Sequence, residues 1–350
     1  MENSKKSEII FTRRLSDDLL PFMESYRNGE LFLATETTVN ELWIRKTAVL
    51  KDLPAVILPS GETHKQLDSV AAIWKFLSDN GADRHSLLIN TGGGMLTDLA
   101  GFAASTFKRG IGFVNIPTTL LSQVDASVGG KTGFNFNGLK NEIGTFCNPR
   151  AVLIHTPFLE TLDRENMLSG FAEMIKHGLI HDRAHLSELE AYNINRPDLH
   201  ALAGMIRHSV DIKKYFVDND PHEKSVRKAL NFGHTTGHAI ESLAMDQGKP
   251  VLHGYAVAWG MVAELFLSTL KCGFPDTEMV RIATWIKNLY GDFPLGRSDF
   301  QKMEELMKHD KKNEESRINF TLLSGTGHFV INQYCESLAI SEALEFLNQL

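Results

Sequence analysis

The most constraining feature of this chain is a strand that runs through glycines into a helix. Leu87–Asn90 is apolar and β-forming, it leads into Thr91-Gly92-Gly93-Gly94, and Met95 opens a segment of helical apolar spacing through Thr106. Such a unit commits the backbone to a tight strand–turn–helix reversal, which residues without Cβ permit. It also suits an anion, because the backbone can approach closely while free N–H groups and the helix dipole face it. A dinucleotide pyrophosphate is the natural guest. A lone triple glycine is equally a structural turn, and the G-x-G-x-x-G spacing of an ordinary dinucleotide fingerprint is absent.

The surrounding pattern repeats the alternation. Leu31–Thr35, Ala55–Leu58, Leu87–Asn90, Gly112–Ile116 and Val152–His155 read as strands, and Leu67–Asn80 and Met95–Thr106 as helices. Strands alternating with helices predict a mainly parallel sheet covered on both faces. After Thr156 long helical segments follow one another: Glu165–Ile180, Leu199–Asp218, Ser225–Ala244, Tyr255–Leu270, Asp276–Leu289 and Phe300–His309. Two β-like runs, Arg317–Leu323 and Gly327–Ile331, precede a last helix. The expectation is an α/β nucleotide-binding domain over residues 1–155 and an all-α metal- and substrate-binding domain over 156–350. The active site is expected in the cleft between them.

Composition narrows the function. A net charge of -7 argues against a nucleic-acid footprint, which needs clustered Lys and Arg. Three scattered cysteines without a Cys-x-x-Cys pair fit a reducing compartment better than a disulfide framework. Met1–Ile10 is polar, and the apolar stretch Tyr255–Leu270 contains Glu264 and is too short for a bilayer. A cytoplasmic, soluble enzyme with no membrane partner is expected.

Two segments carry candidate chemistry. Ser127 to Thr132 superficially resembles a Walker A loop, but Asp125 occupies the position of its first glycine, so Lys131 and the nearby Lys140-Asn141 remain only candidate phosphate contacts. In the second half, Arg227, Asn231, His234 and His238 follow at intervals of four, three and four, which puts them on one face of the helix expected there. That face either meets water or lines a site, since burying it idly is costly. His234 and His238 could ligate one metal. Alternatively, Glu173 (with Lys176 at i, i+3) and His253 complete a Glu/His set whose open position would mark a catalytic rather than a structural metal.

Taken in order, these strings resemble the 3-dehydroquinate synthase family of the sugar-phosphate cyclases along nearly the whole chain. They are Pro59 to Lys65, Gly92-Gly93-Gly94 with Asp98, Ile116 to Asp125, Ser127 to Thr132 and Lys140-Asn141. Gly170-Phe171-Ala172-Glu173 with Lys176, Asn231-Phe232-Gly233-His234 with Gly237-His238, and His253-Gly254 complete the set. The resemblance implies that Glu173, His234 and His253 hold zinc or cobalt, which moves His238 to the substrate side. It implies NAD against Glu36, Glu62, Lys65, Gly93, Gly94, Asp98, Thr118, Thr119, Asp125, Lys131, Lys140 and Thr161. Substrate contacts would be Arg109, Asp125, Lys131, Lys140, Asn141, Lys176, Lys213, Arg227, Asn231, His238, His253 and Lys311 or Lys312. Of these Lys131, Lys176, Lys213, Arg227, Asn231 and His238 would be catalytic. Thr97, Glu36 and Thr236 depart from the family's usual glycine, Asp and Phe.

The implied activity belongs to the shikimate pathway and is commonly dimeric, with Arg109 reaching a second subunit. A phosphorylated sugar acid, 3-deoxy-D-arabino-heptulosonate 7-phosphate, is oxidised by NAD, loses phosphate by β-elimination, is re-reduced, opens, and closes to 3-dehydroquinate by an intramolecular aldol step. Competing readings are a sister cyclase lacking the carboxylate handle, a metal-dependent polyol dehydrogenase that would not need the Lys131 and Lys140 loop, and a non-catalytic NAD-binding regulator.

Overall fold

A computed structural model describes residues 7–26, 29–137, 139–308 and 317–350, and the chain separates into two compact units, Met1–Asp163 and Arg164–Leu350. The first unit runs β1 (Glu8–Phe11), α1 (Leu15–Ser25), β2 (Leu31–Glu36), α2 (Thr37–Leu42), β3 (Ala55–Leu58) and α3 (Leu67–Asp79). It continues with β4 (Leu87–Gly92), α4 (Gly94–Thr106), β5 (Gly112–Pro117), β6 (Lys131–Phe136), β7 (Leu139–Phe146) and β8 (Ala151–Ile154).

Six of these strands form one parallel sheet in the order β1-β8-β5-β4-β2-β3. Strand periodicity sends alternate residues to opposite faces. Phe32, Ala34, Leu88 and Phe113 join Val70, Ile73 and Leu77 of α3 and Leu96 and Leu99 of α4. Leu33, Leu87, Ile89 and Val114 join Leu15 and Leu19 of α1 on the other side. Burial on both faces explains why the inner strands β2, β4, β5 and β8 read as apolar runs, and each buried Leu or Phe contributes about 1.5–3 kcal/mol. The β6–β7 hairpin, outside this sheet, packs on α4 through Phe134, whose ring centroid lies 5.1 Å from that of Phe102.

The second unit is mostly helical: α5 (Arg164–His181), α6 (Arg183–Ala191), α7 (Leu199–Asn219), α8 (His234–Asp246), α9 (His253–Cys272), α10 (Asp276–Tyr290) and α11 (Phe300–Lys308). β9 (Asn319–Gly325) and β10 (His328–Tyr334) then pair antiparallel before α12 (Ser337–Gln349), so this unit is helical with one hairpin rather than all-α. The apolar helix α9 is buried almost all round, against α5, α8, α10, α12 and β9. Among the described residues no helix is long and apolar enough to cross a membrane.

One expected helix is corrected. Ser225–Ala244 is broken into a 3₁₀ turn over Val226–Asn231 and α8 from His234. Gly233 between them has φ +79°, the left-handed region where helical hydrogen bonding stops. The buried Glu264 carboxylate of α9 holds the break, accepting from Gly233 N–H at 2.6 Å and Thr236 N–H at 3.0 Å.

Candidate active site

Three helices of the second unit each deliver one donor to the same place. Glu173 lies on α5, fully buried, with the Lys176 ammonium of the next turn in contact with its Oε2. His234 opens α8 and His253 opens α9. Their Nε2 atoms stand 3.5 and 3.4 Å from Glu173 Oε1, and the three donor atoms all lie within 4.8 Å of one another. Glu173 Oε1 has no well-formed hydrogen bond here. An orphaned buried carboxylate oxygen between two imidazole nitrogens is what a divalent cation satisfies, so these residues fit a metal.

The outer ring nitrogens are also accounted for. His234 Nδ1 lies 3.2 Å from the Phe232 carbonyl, and His253 Nδ1 lies 3.4 Å from Glu241 Oε2. Donating Nδ1–H to these acceptors leaves each Nε2 lone pair towards Glu173. Burial alone would raise the Glu173 pKa, but Lys176 and His253 outweigh it and hold the carboxyl well below its usual range. Burial pulls His253 down, yet Glu173 and Glu241 overcome this and push it up to about 9. A metal arriving here must displace that proton.

The four residues expected on one helix face separate. Arg227 and Asn231 sit in the 3₁₀ turn, whereas His234 and His238 share α8. The His238 ring centroid is 5.3 Å from that of His234 and 6.1 Å from that of His253. Arg227 is buried and donates from Nη1 to the Pro221 carbonyl at 2.8 Å, while Asn231 Nδ2 donates to Glu223 Oε1 at 2.8 Å. Lys213 is buried on α7, which packs against that turn. Lys311 and Lys312 lie outside the described residues.

In the first unit the candidates gather at the carboxyl ends of adjacent strands, where open α/β sheets bind ligands. Glu36 ends β2, Gly92 ends β4 and Thr118 follows β5. Gly93 caps α4, and its N–H donates to Glu36 Oε1 at 2.7 Å. Burial raises the Glu36 pKa; the Gly93 N–H pulls the other way, and Glu62 adds repulsion. Thr118 N–H donates to the Gly92 carbonyl at 3.0 Å, and Thr118 Oγ1 is buried without a hydrogen-bond partner. Thr119 pairs with Ser122, and Asp125 sits in the following π-turn.

A second network links the hairpin to this end. The Lys65 ammonium, almost fully buried, reaches Asp98 Oδ2 at 2.7 Å and Asn141 Oδ1 at 2.6 Å. Asn135 ties Glu62 Oε1 to the Asn141 N–H, at 3.0 and 2.9 Å. Lys131 is exposed at the start of β6 and Lys140 half-buried on β7. Thr161 Oγ1 accepts from Trp43 Nε1 at 2.8 Å. Arg109 stands apart from the other phosphate candidates, exposed at φ +70° in a pocket shared with Tyr26, Arg84 and Arg150. Sequence reading gave no role to Glu241, Glu264 or Asn135; of these only Glu264 carried a signal, as a lone acid in the apolar stretch Tyr255–Leu270.

With this geometry in place, comparison with known proteins decides the family. The models of the 3-dehydroquinate synthase N-terminal and C-terminal domains match residues 55–169 and 170–313. A 3-dehydroquinate synthase of Parabacteroides distasonis is 45% identical over 98% of both chains. The chain belongs to the 3-dehydroquinate synthase family. It is an enzyme of that family, and its parallel α/β unit followed by a helical unit is the dehydroquinate synthase-like fold. A family member from Pyrococcus furiosus is 42% identical over 76% of this chain and 78% of its own. Among solved structures, a 2-epi-5-epi-valiolone synthase of Streptomyces hygroscopicus with NAD+ and Zn2+ bound superposes with TM-score 0.87 at 25% identity, covering 100% of this chain and 98% of its own. A 2-deoxy-scyllo-inosose synthase complexed with carbaglucose-6-phosphate, NAD+ and Co2+ gives TM-score 0.86 at 24% identity, over 99% and 98%, and supports the fold.

Proposed function

We propose that this chain converts 3-deoxy-D-arabino-heptulosonate 7-phosphate to 3-dehydroquinate and phosphate, using NAD and one divalent metal, zinc or cobalt. The observation that carries this reading is the Glu173–His234–His253 cluster with Lys176 in contact and His238 beside it. When bound, the metal supplies Lewis acidity and NAD a hydride acceptor that later returns the hydride.

The chain's own residues do the rest. Glu173, His234 and His253 hold the metal, and Glu241 orients His253. Lys176 and His238 hold or move the substrate hydroxyl proton. Lys213 and Arg227, both buried, offset substrate charge where weak solvation makes each charge count for more. Asn231 orients the substrate by hydrogen bonding. Glu36, at the end of β2, is suited to accept from cofactor hydroxyls, and the Gly93-Gly94 turn lets the cofactor's phosphates approach the backbone. Lys131, Lys140 and Asn141 are assigned to the substrate phosphate, with Lys311 or Lys312. Arg109, exposed, is assigned to a second subunit's site in a homodimer. The three unpaired cysteines suit a reducing cytoplasm.

The likeness to the valiolone synthase favours one second reading, a sister cyclase acting on a sugar phosphate without a carboxylate. A three-substrate panel separates them. Phosphate release from 3-deoxy-D-arabino-heptulosonate 7-phosphate, with none from sedoheptulose 7-phosphate or glucose 6-phosphate, is the expected result. The converse moves the chain to the sister reaction.

A further inference from the structure

A second histidine cluster, made of residues given no role above, lies on α6 and α7. His185 is fully buried, and its Nε2 pairs with Ser209 Oγ at 2.8 Å. Its Nδ1 is buried without a hydrogen-bond partner. That nitrogen faces Glu188 Oε2 at 3.9 Å, and the His208 ring stands 4.5 Å away between centroids, tilted by 45°. One donor from each of His185, Glu188 and His208 falls within 4.8 Å of the other two.

The surroundings prepare both imidazoles for ligation. His208 Nε2 lies 2.9 Å from Asp182 Oδ2, and Oδ1 of the same carboxylate caps α6 by accepting from Ala184 N–H and His185 N–H. A carboxylate fixed this way takes the Nε2–H of His208 and leaves Nδ1 with its lone pair, the arrangement that commonly backs a metal-bound histidine. Donation of the His185 Nε2–H to Ser209 leaves its Nδ1 equally bare. A core histidine needs no second acceptor, but it rarely aims an unpaired buried nitrogen at a carboxylate and another imidazole.

We propose that His185, Glu188 and His208, oriented by Asp182 and Ser209, form a second divalent-metal site that joins α6 to α7. The ligand class is a transition ion that takes imidazole and carboxylate, such as zinc or cobalt. A tetrahedral ion about 2.1 Å from each ligand sets the ligand atoms about 3.4 Å apart. The 3.9 Å gap therefore closes with a small turn of Glu188, whose side chain is 59% exposed and free to move. The exposed Glu188 and the half-buried His208 also give the ion a way in and leave the fourth position to water.

The test counts metal. Full-length protein is stripped with chelator, titrated with Co(II), and read by elemental analysis after gel filtration and by the visible d–d absorption of bound cobalt. Two equivalents per chain are expected for the wild type, and one for Glu188→Gln and His208→Ala, with second-site affinity lowered at least tenfold. Glu188 is exposed, so its variant keeps the test valid should His208→Ala fold poorly. Retention of one equivalent by Glu173→Gln, lost when Glu188→Gln is added, would support this site even if the first site were misassigned. A single equivalent in the wild type that both Glu188→Gln and His208→Ala keep, or two equivalents in all variants, would overturn it.

Discussion

Glu173 and Lys176 form a buried ion pair that stands between stability and chemistry. Removing one partner of such a pair strands the other charge in a poorly solvated place. Glu173→Gln keeps the shape and removes the charge, so it is expected to lose about 3–5 kcal/mol in urea denaturation and to abolish binding at this metal site. Unchanged stability would mean that the Glu173 charge is not what holds Lys176 in place. Glu241 acts more gently, through His253 Nδ1. Glu241→Gln should weaken metal binding by about 10–100-fold in a chelator competition while the fold persists.

Glu36 gives a pH-dependent prediction. Its folded pKa lies above the usual 4.5, chiefly through burial, so ionised Glu36 costs stability above the raised value, and the cost vanishes as pH falls below 4.5. Glu36→Gln should therefore be the more stable protein at neutral pH, and lose that advantage across this acid window in melting experiments. Its NAD affinity should fall about 10–150-fold, because a hydrogen bond to a charged acceptor is worth about 1.5–3 kcal/mol. Of these residues, spacing along the sequence singled out His234 with His238, one helical turn apart. The donors that actually converge come from three helices, which no single spacing encodes; the residues offered Glu173 and His253 as one alternative, and the resemblance over several motifs chose that set over the His234–His238 pair. Glu241 was illegible because its part depends on where α9 begins.

At the scale of elements, the break before His234 matters most. Apolar periodicity runs through Ser225–Ala244 without a proline, so the sequence reads as one helix. The interruption needs Gly233 at positive φ and Glu264 from another helix. A Cβ at Gly233 would stand 2.5 Å from Met261 Cγ and 3.0 Å from the Val257 carbonyl. Gly233→Ala should cost about 1–3 kcal/mol from backbone strain alone, and a disproportionate loss of metal affinity as His234 is displaced. Denaturation and metal titration on the same sample check both; a stability loss with metal affinity intact would separate the break from the site. The inner strands β2, β4, β5 and β8 were legible because burial on both faces leaves apolar runs, whereas β1, a short and only partly buried edge strand, was not read as one. The β6–β7 hairpin was not legible, since it is held by distant packing on α4 and by the Thr132–Thr145 pair. α6 was also missed; its start is set by the Asp182 cap, and its short amphipathic pattern sits close behind α5.

For the whole molecule, family membership and the placement of residues point to a reaction in which the cofactor is used and restored. Its balance sheet is therefore distinctive: phosphate out, ring product out, cofactor unchanged. A polyol dehydrogenase of related fold would instead convert NAD to NADH in proportion to turnover. The decisive measurement follows phosphate, 3-dehydroquinate and NADH together in purified protein given 3-deoxy-D-arabino-heptulosonate 7-phosphate, before and after chelation and metal return. Phosphate and 3-dehydroquinate rising one to one, with no NADH accumulating, activity lost on chelation and restored by zinc or cobalt, is the predicted result. NADH accumulating with turnover, or turnover indifferent to the chelator, would contradict the account.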